Sequence, residues 1–84
     1  MKIENIEFEL ENETKKWLEK IKERRQKVKV IYDVKADMVK NIDAYVSDSQ
    51  MFLKERRFIH AFEAVIWAWA WIDILEELKI ISSE

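Results

Sequence analysis

The chain has 84 residues, 49% of them hydrophobic and 38% charged, with a net charge of -2. It contains no cysteine, glycine or proline, where average usage would give about ten of the last two together. These counts exclude disulfides, thiol catalysis and glycine-rich phosphate loops, and they disfavour hairpins and tight turns, which lean on glycine and proline.

At the N-terminus, Met1-Lys2-Ile3-Glu4 turns acidic at once, so no secretory leader is expected and the cytoplasm is the expected location. Ile6, Phe8 and Leu10 then alternate with Glu7, Glu9 and Glu11, which fits a strand. Over a longer window Ile3, Ile6, Leu10, Thr14, Trp17, Ile21 and Val28 fit a helical stripe. The longer match predicts a first helix over about residues 10–29, while residues 1–9 fit a helix and a flexible or extended arm equally. Asn12 can cap a helix that starts late. Residues 28–33, VKVIYD, break the stripe with β-branched side chains and place a connection there, with Asp33 as candidate cap. One helix continuing through this point is the alternative.

Val34, Met38, Ile42, Tyr45, Ser49 and Phe52 recur at spacings of three and four and predict an amphipathic helix over about residues 33–54. A third helix follows over about residues 57–80. On a wheel, Ala61, Ala64, Val65, Ala68, Ile72 and Leu75 share one face. Trp67, Trp71 and Leu78 flank that face on one side, and Phe58, Phe62 and Trp69 on the other. The remaining arc holds Glu63, Asp73 and Glu77 among Ile59, Ile66 and Ala70. A helix apolar around most of its girth is a buried central element or a membrane span. The unbroken apolar run, Ala64 to Ile72, lies between Glu63 and Asp73 and is far shorter than the roughly 20 residues a span requires. No membrane contact is expected.

Chemistry-bearing groups are sparse. His60 and Glu63 stand at i, i+3, but a metal site in a bundle needs several glutamates and two histidines projecting inward, and His60 is the sole histidine. No metal or cofactor is expected. Arg56, Arg57 and His60 are similar to the arginine-histidine pair of the helical ribonucleases called HEPN domains, though at closer spacing. No serine has a histidine positioned as its base. Tyr45 and Asp48, at i, i+3 on the second helix, read as structural polar groups that satisfy each other or a neighbouring helix, as do Glu63 and Asp73. Asp73 has Arg56, Arg57 and the first helix as candidate partners.

Residues 15–35 hold nine lysines and arginines against three acids, while both flanking segments are acidic. Lys15, Lys16, Lys20, Lys22, Arg24, Arg25, Lys27 and Lys29 form a candidate basic patch. Such a helix can track phosphates. It lacks the exposed aromatics of a single-strand binder, and the favoured reading is a solvated face whose acidic complement lies elsewhere in the bundle or on a partner.

Residues 45–75, YVSDSQMFLKERRFIHAFEAVIWAWAWIDIL, resemble a small archaeal family of short helical proteins, domain of unknown function 357 (DUF357). Its Tyr-x-x-Asp-Ala-x-x-Phe run corresponds to Tyr45, Asp48, Ser49 and Phe52, with serine for alanine. Its alanine-rich helix corresponds to Ala61, Phe62, Glu63, Ala64, Val65, Ala68 and Asp73, with Trp67 at a tyrosine position. The family's Gly-Asp turn falls on Arg56-Arg57, and its helix glycine on Ala70. The resemblance implies a compact archaeal helical bundle with no catalytic assignment to carry over.

The expected fold is therefore all-α: one domain, 1–84, an antiparallel three-helix bundle of up-down hairpins with the third helix central. Two partner helices cannot cover so apolar a helix. Ile59, Ile66, Trp67, Trp69, Ala70 and Trp71 are thus candidates for self-association, most simply as a twofold dimer. The expected function is a non-enzymatic interaction or scaffold module with a protein partner. The alternatives are a nucleic-acid-associated protein using Lys15 to Lys35 and a HEPN-like ribonuclease.

Overall fold

The structure, a computed structural model, describes residues 3–31 and 37–83. Three helices dominate: α1 (Ile3–Gln26), α2 (Val39–Lys54) and α3 (Phe58–Glu77). Two short strands, β1 (Lys29–Val30) and β2 (Ile81–Ser82), complete the described elements. Helix α3 packs against both other helices, whereas α1 and α2 scarcely meet. The path is up-down-up. Tyr45 of α2 meets Trp67 while Ser49 meets Ala61, so these two helices are antiparallel. Trp17 of α1 meets Trp69 while Arg24 meets Glu76, so α1 runs parallel to α3. The fold is the all-α three-helix bundle expected, with the third helix at its centre.

The core follows the face read from the sequence. Ala61, Val65, Ala68, Ile72 and Leu75 of α3 are fully enclosed, with Ile21 from α1 and Ile42 from α2. The small alanines let a neighbouring backbone approach closely. At Ala61 the approach is close enough for the buried Ser49 hydroxyl to donate to its carbonyl at 2.7 Å. The second buried hydroxyl, Thr14, donates to the Leu10 carbonyl at 2.6 Å, one turn back on its own helix. Both polar groups in the core are thus satisfied, as burial demands.

Helices α2 and α3 end in the same way without glycine. Arg56 and Lys79 each adopt a left-handed backbone, φ 60°. Arg57 N–H donates to the Phe52 carbonyl at 2.9 Å and Arg56 N–H to that of Leu53 at 3.0 Å. Ile80 N–H likewise donates to Leu75 at 2.9 Å and Lys79 N–H to Glu76 at 3.0 Å. Each pair of bonds is a Schellman closure, in which a left-handed residue turns the chain back onto the last carbonyls. The apolar contact that accompanies the motif is Ile80 with Leu75, both buried, at the end of α3. At the end of α2 it is replaced by the Arg57 guanidinium, 5.0 Å from the Phe52 ring centre.

Several expectations need revision. Residues 3–9 belong to α1, so the helix begins well before Asn12 and the alternating Ile6-Phe8-Leu10 pattern is not an extended arm. As a helix the segment bonds its own backbone groups and continues the Ile6-Leu10-Thr14 stripe. The connection near residue 28 is present, and α1 does not continue into α2. Asp33 lies outside the described residues, and α2 begins at Val39 rather than near 33. The β-branched VKVI segment forms a two-residue antiparallel ladder, Lys29 opposite Ser82 and Val30 opposite Ile81, extended by Ile31 N–H to the Ile80 carbonyl at 2.8 Å. Ile81, 1% exposed, plugs the core beneath it. The α3 helix stops at Glu77, and residues 78–80 form its closing turn.

Candidate interaction surfaces

The basic segment of α1 is partly neutralised within the bundle. Arg24 spans Asp73 and Glu76 of α3, each at 2.6 Å, and its Nε donates to Ser83 Oγ at 3.1 Å. Arg25 holds Asp43 of α2 at 2.7 Å. Lys15 pairs with Glu11 at 2.9 Å, and Lys16 with Glu13 at 3.7 Å. Lys20 lies over the Trp17 ring at 4.7 Å. Lys20, Lys22, Lys27 and Lys29 are exposed and make no ion pair among the described residues. Partial burial works against the Arg24 charge, but its hydrogen bonds to Glu76 and Asp73 outweigh this and hold its pKa above the ordinary value. Hydrogen bonds from Ser83 and then Arg24 hold the Glu76 carboxyl below its ordinary value. The Arg24 cluster therefore ties α1, the end of α3 and the C-terminal segment together. Of the three candidate partners for Asp73, the structure selects α1.

The tryptophans separate into covered and open. Trp69 meets Trp17 edge to face, 5.5 Å between ring centres, and its indole N–H donates to the Trp17 carbonyl at 3.2 Å. The Arg24 guanidinium lies over the same Trp69 ring at 5.4 Å. Trp71 is half-buried against the core. Trp67 stacks on Tyr45, 6.2 Å between centres, yet remains 55% exposed. Of the two alternatives for Tyr45, a mutual pair with Asp48 or a neighbouring helix, Tyr45 meets the neighbouring helix α3 through Trp67, and Asp48 is exposed. Ile59 and Ile66 are exposed with Trp67, and Ala70 is half-buried between them and Ile74. Ile74 and Leu78, absent from the sequence-based set, are exposed on the same side of α3. Their signal was legible only in part: the wheel sets Leu78 on the flank of Trp67 and Trp71, and Ile74 between that flank and the arc of Ile59 and Ile66. The outcome is an apolar stripe running the length of α3, interrupted by exposed Glu63, Asp73 and Glu77.

Although its unbroken apolar run is short, helix α3 (20 residues) holds an 18-residue stretch with a mean hydropathy of 1.4 and by length and composition could cross a bilayer. In the bundle its inner face is the core that α1 and α2 share.

His60 is exposed and meets Phe52 at a tilt, 5.4 Å between ring centres, beside Arg57 on the same ring. Arg57 also pairs with Glu55 at 3.6 Å, and Arg56 lies over Phe58 at 5.2 Å. These side chains serve the turn between α2 and α3. Among the described residues no three or more His, Cys, Asp and Glu side chains are grouped to hold a metal ion. Exposed Glu63 is part of no cluster.

A groove of about 440 Å³ opens where α1 and α2 diverge. Leu18 and Leu53 form its floor, and Lys15, Glu19, Lys22, Gln50 and Lys54 its walls. Sequence reasoning placed Lys15 and Lys22 in the basic patch but missed Leu53, Gln50 and Lys54. The groove depends on how far apart two helices sit, which no periodicity reports.

The architecture defines a small up-down-up helical domain whose notable surfaces are an apolar stripe and a lysine-walled groove. The chain belongs to the family described as protein of unknown function DUF357, which matches residues 11–81. Its fold is similar to a crystal structure of a DUF357 protein from Archaeoglobus fulgidus, with 40% identity and a TM-score of 0.84 over 94% of this chain and 99% of the other. Comparison with curated proteins finds no match.

Proposed function

We propose that the protein is a non-enzymatic helical interaction module that self-associates through the outer stripe of α3. The observation that carries this reading is the exposure of Ile59, Ile66, Trp67, Ile74 and Leu78, interspersed with Glu63, Asp73 and Glu77, on the outer side of a helix whose other side is already the core. Apolar side chains clustered in this way on one side of a helix are normally covered in a stable assembly. A twofold axis across α3 gives each copy the same cover, and half-buried Ala70 near the middle allows close approach of the two helices.

Size-exclusion chromatography with light scattering at micromolar concentration tests the proposal. Twice the 10.2 kDa chain mass is expected for the parent protein, and the single-chain mass for Ile66→Glu/Trp67→Glu. A parent that elutes as a monomer overturns it. The nucleic-acid reading draws less support, because Lys15, Lys16, Arg24 and Arg25 already have carboxylate partners. A gel shift at low salt, where phosphate contacts are strongest, would reveal such binding.

A further inference from the structure

We propose that the groove between α1 and α2 seats an acidic amphipathic helix of a partner protein. The groove lies apart from the α3 stripe, and the inference does not rest on self-association. Both α1 and α2 lean on α3 and scarcely touch each other, so their outer edges leave a furrow. That furrow is the place a fourth helix takes in a four-helix bundle. Its length suits such an occupant. From Lys15 to Lys22 is about 10 Å along α1, two helical turns, and a docked helix presents its apolar anchors at that repeat.

Charge decides the partner's chemistry. Lys15 and Lys22 on one wall face Lys54 on the other, against the single acid Glu19. Lys22 and Lys54 are exposed and make no ion pair among the described residues, whereas Arg24 and Arg25 are tied to Asp73, Glu76 and Asp43. The bundle thus neutralises these two arginines internally and leaves the Lys22 and Lys54 ammonium groups at the groove, while Lys15 is paired with Glu11. Leu18 and half-buried Leu53 at the floor call for apolar side chains on the occupant as well as acidic ones. A bare phosphate chain would leave that floor uncovered. The groove also offers no aromatic ring on which a nucleobase could stack.

The test is fluorescence anisotropy of a labelled helical peptide, leucines at i, i+3, i+4 and i+7 and glutamates elsewhere, titrated with the full chain. Saturable binding is expected, weakened about tenfold by raising salt from about 50 to about 300 mM, since exposed charge pairs are screened. Lys22→Glu/Lys54→Glu should weaken it at least as much, and Lys22→Gln/Lys54→Gln less. Circular dichroism checks that each variant retains its helices. Ile66→Glu, on the α3 stripe, should leave peptide binding unchanged. Absence of saturable binding at low salt overturns the proposal, as does binding indifferent to the lysine variants. A lysine-dependent preference for a single-stranded RNA oligonucleotide over the peptide overturns it too. So does a fall in the parent's light-scattering mass in Lys22→Glu/Lys54→Glu, which would place a second copy of this chain in the groove.

Discussion

Arg56 and Lys79 occupy a left-handed backbone that places a side-chain carbon near the following carbonyl, at roughly 1–2 kcal/mol for a residue other than glycine. Glycine removes that strain but adds freedom to the unfolded chain, so the net gain is about 0.5–1 kcal/mol. Lys79→Gly should therefore raise the unfolding free energy by that amount, read as a higher urea midpoint. Arg56→Gly should gain less, because it also gives up the guanidinium over Phe58. The resemblance located this position, since the family's glycine falls on the Arg56-Arg57 turn. The chain's own residues could not: nothing in the type of Arg56 or Lys79 announces a positive φ, and the closure is read from the carbonyls it satisfies. Ser49 was equally opaque. It fell on the apolar stripe, and only the close approach of Ala61 explains why a hydroxyl belongs there.

At the scale of elements, the bundle is fastened at the end where α1 finishes. Ile81 enters the core from a strand of two residues, and Ile81→Ala should cost about 2–4 kcal/mol, the usual range for emptying such a site, as measured by chemical denaturation. The Arg24–Glu76–Ser83 cluster fastens the same end by charge. A carboxyl whose folded pKa lies below its ordinary value of 4.5 adds stability above that value and loses it as pH falls through the folded one. The unfolding midpoint should therefore fall on going from about pH 5 to about pH 3, and Glu76→Gln should make that fall shallower while lowering stability at neutral pH. The helices themselves were legible because their stripes persist over several turns. The ladder was not, since two paired residues leave no pattern, and only the β-branched cluster at 28–31 hinted at it.

For the whole molecule, the sequence argument that two helices cannot cover α3 is met by a division of labour. Trp69 and Trp71 are sheltered by the chain's own side chains, while Ile59, Ile66 and Trp67 remain open with Ile74 and Leu78. If a second copy covers them, the thermal midpoint must rise with protein concentration, because association draws on the folded state alone. Ile66→Glu should abolish that dependence with little change in the midpoint at high dilution, since the side chain is exposed in the single chain. The wheel identified the helix and its inner face. It could not divide the tryptophans, because the cover of Trp69 comes from Trp17 and Arg24, about 50 residues away along the chain.

A chain that closes two helices without glycine behaves differently as it warms. The strain at Arg56 and Lys79 is chiefly an energy and changes little with temperature. The restriction that a side chain imposes on the unfolded backbone is an entropy, and its weight grows in proportion to absolute temperature. The advantage of Lys79→Gly should therefore be largest in the cold and shrink on heating. The non-glycine side chains at these two corners therefore cost the native bundle least where heat most threatens it.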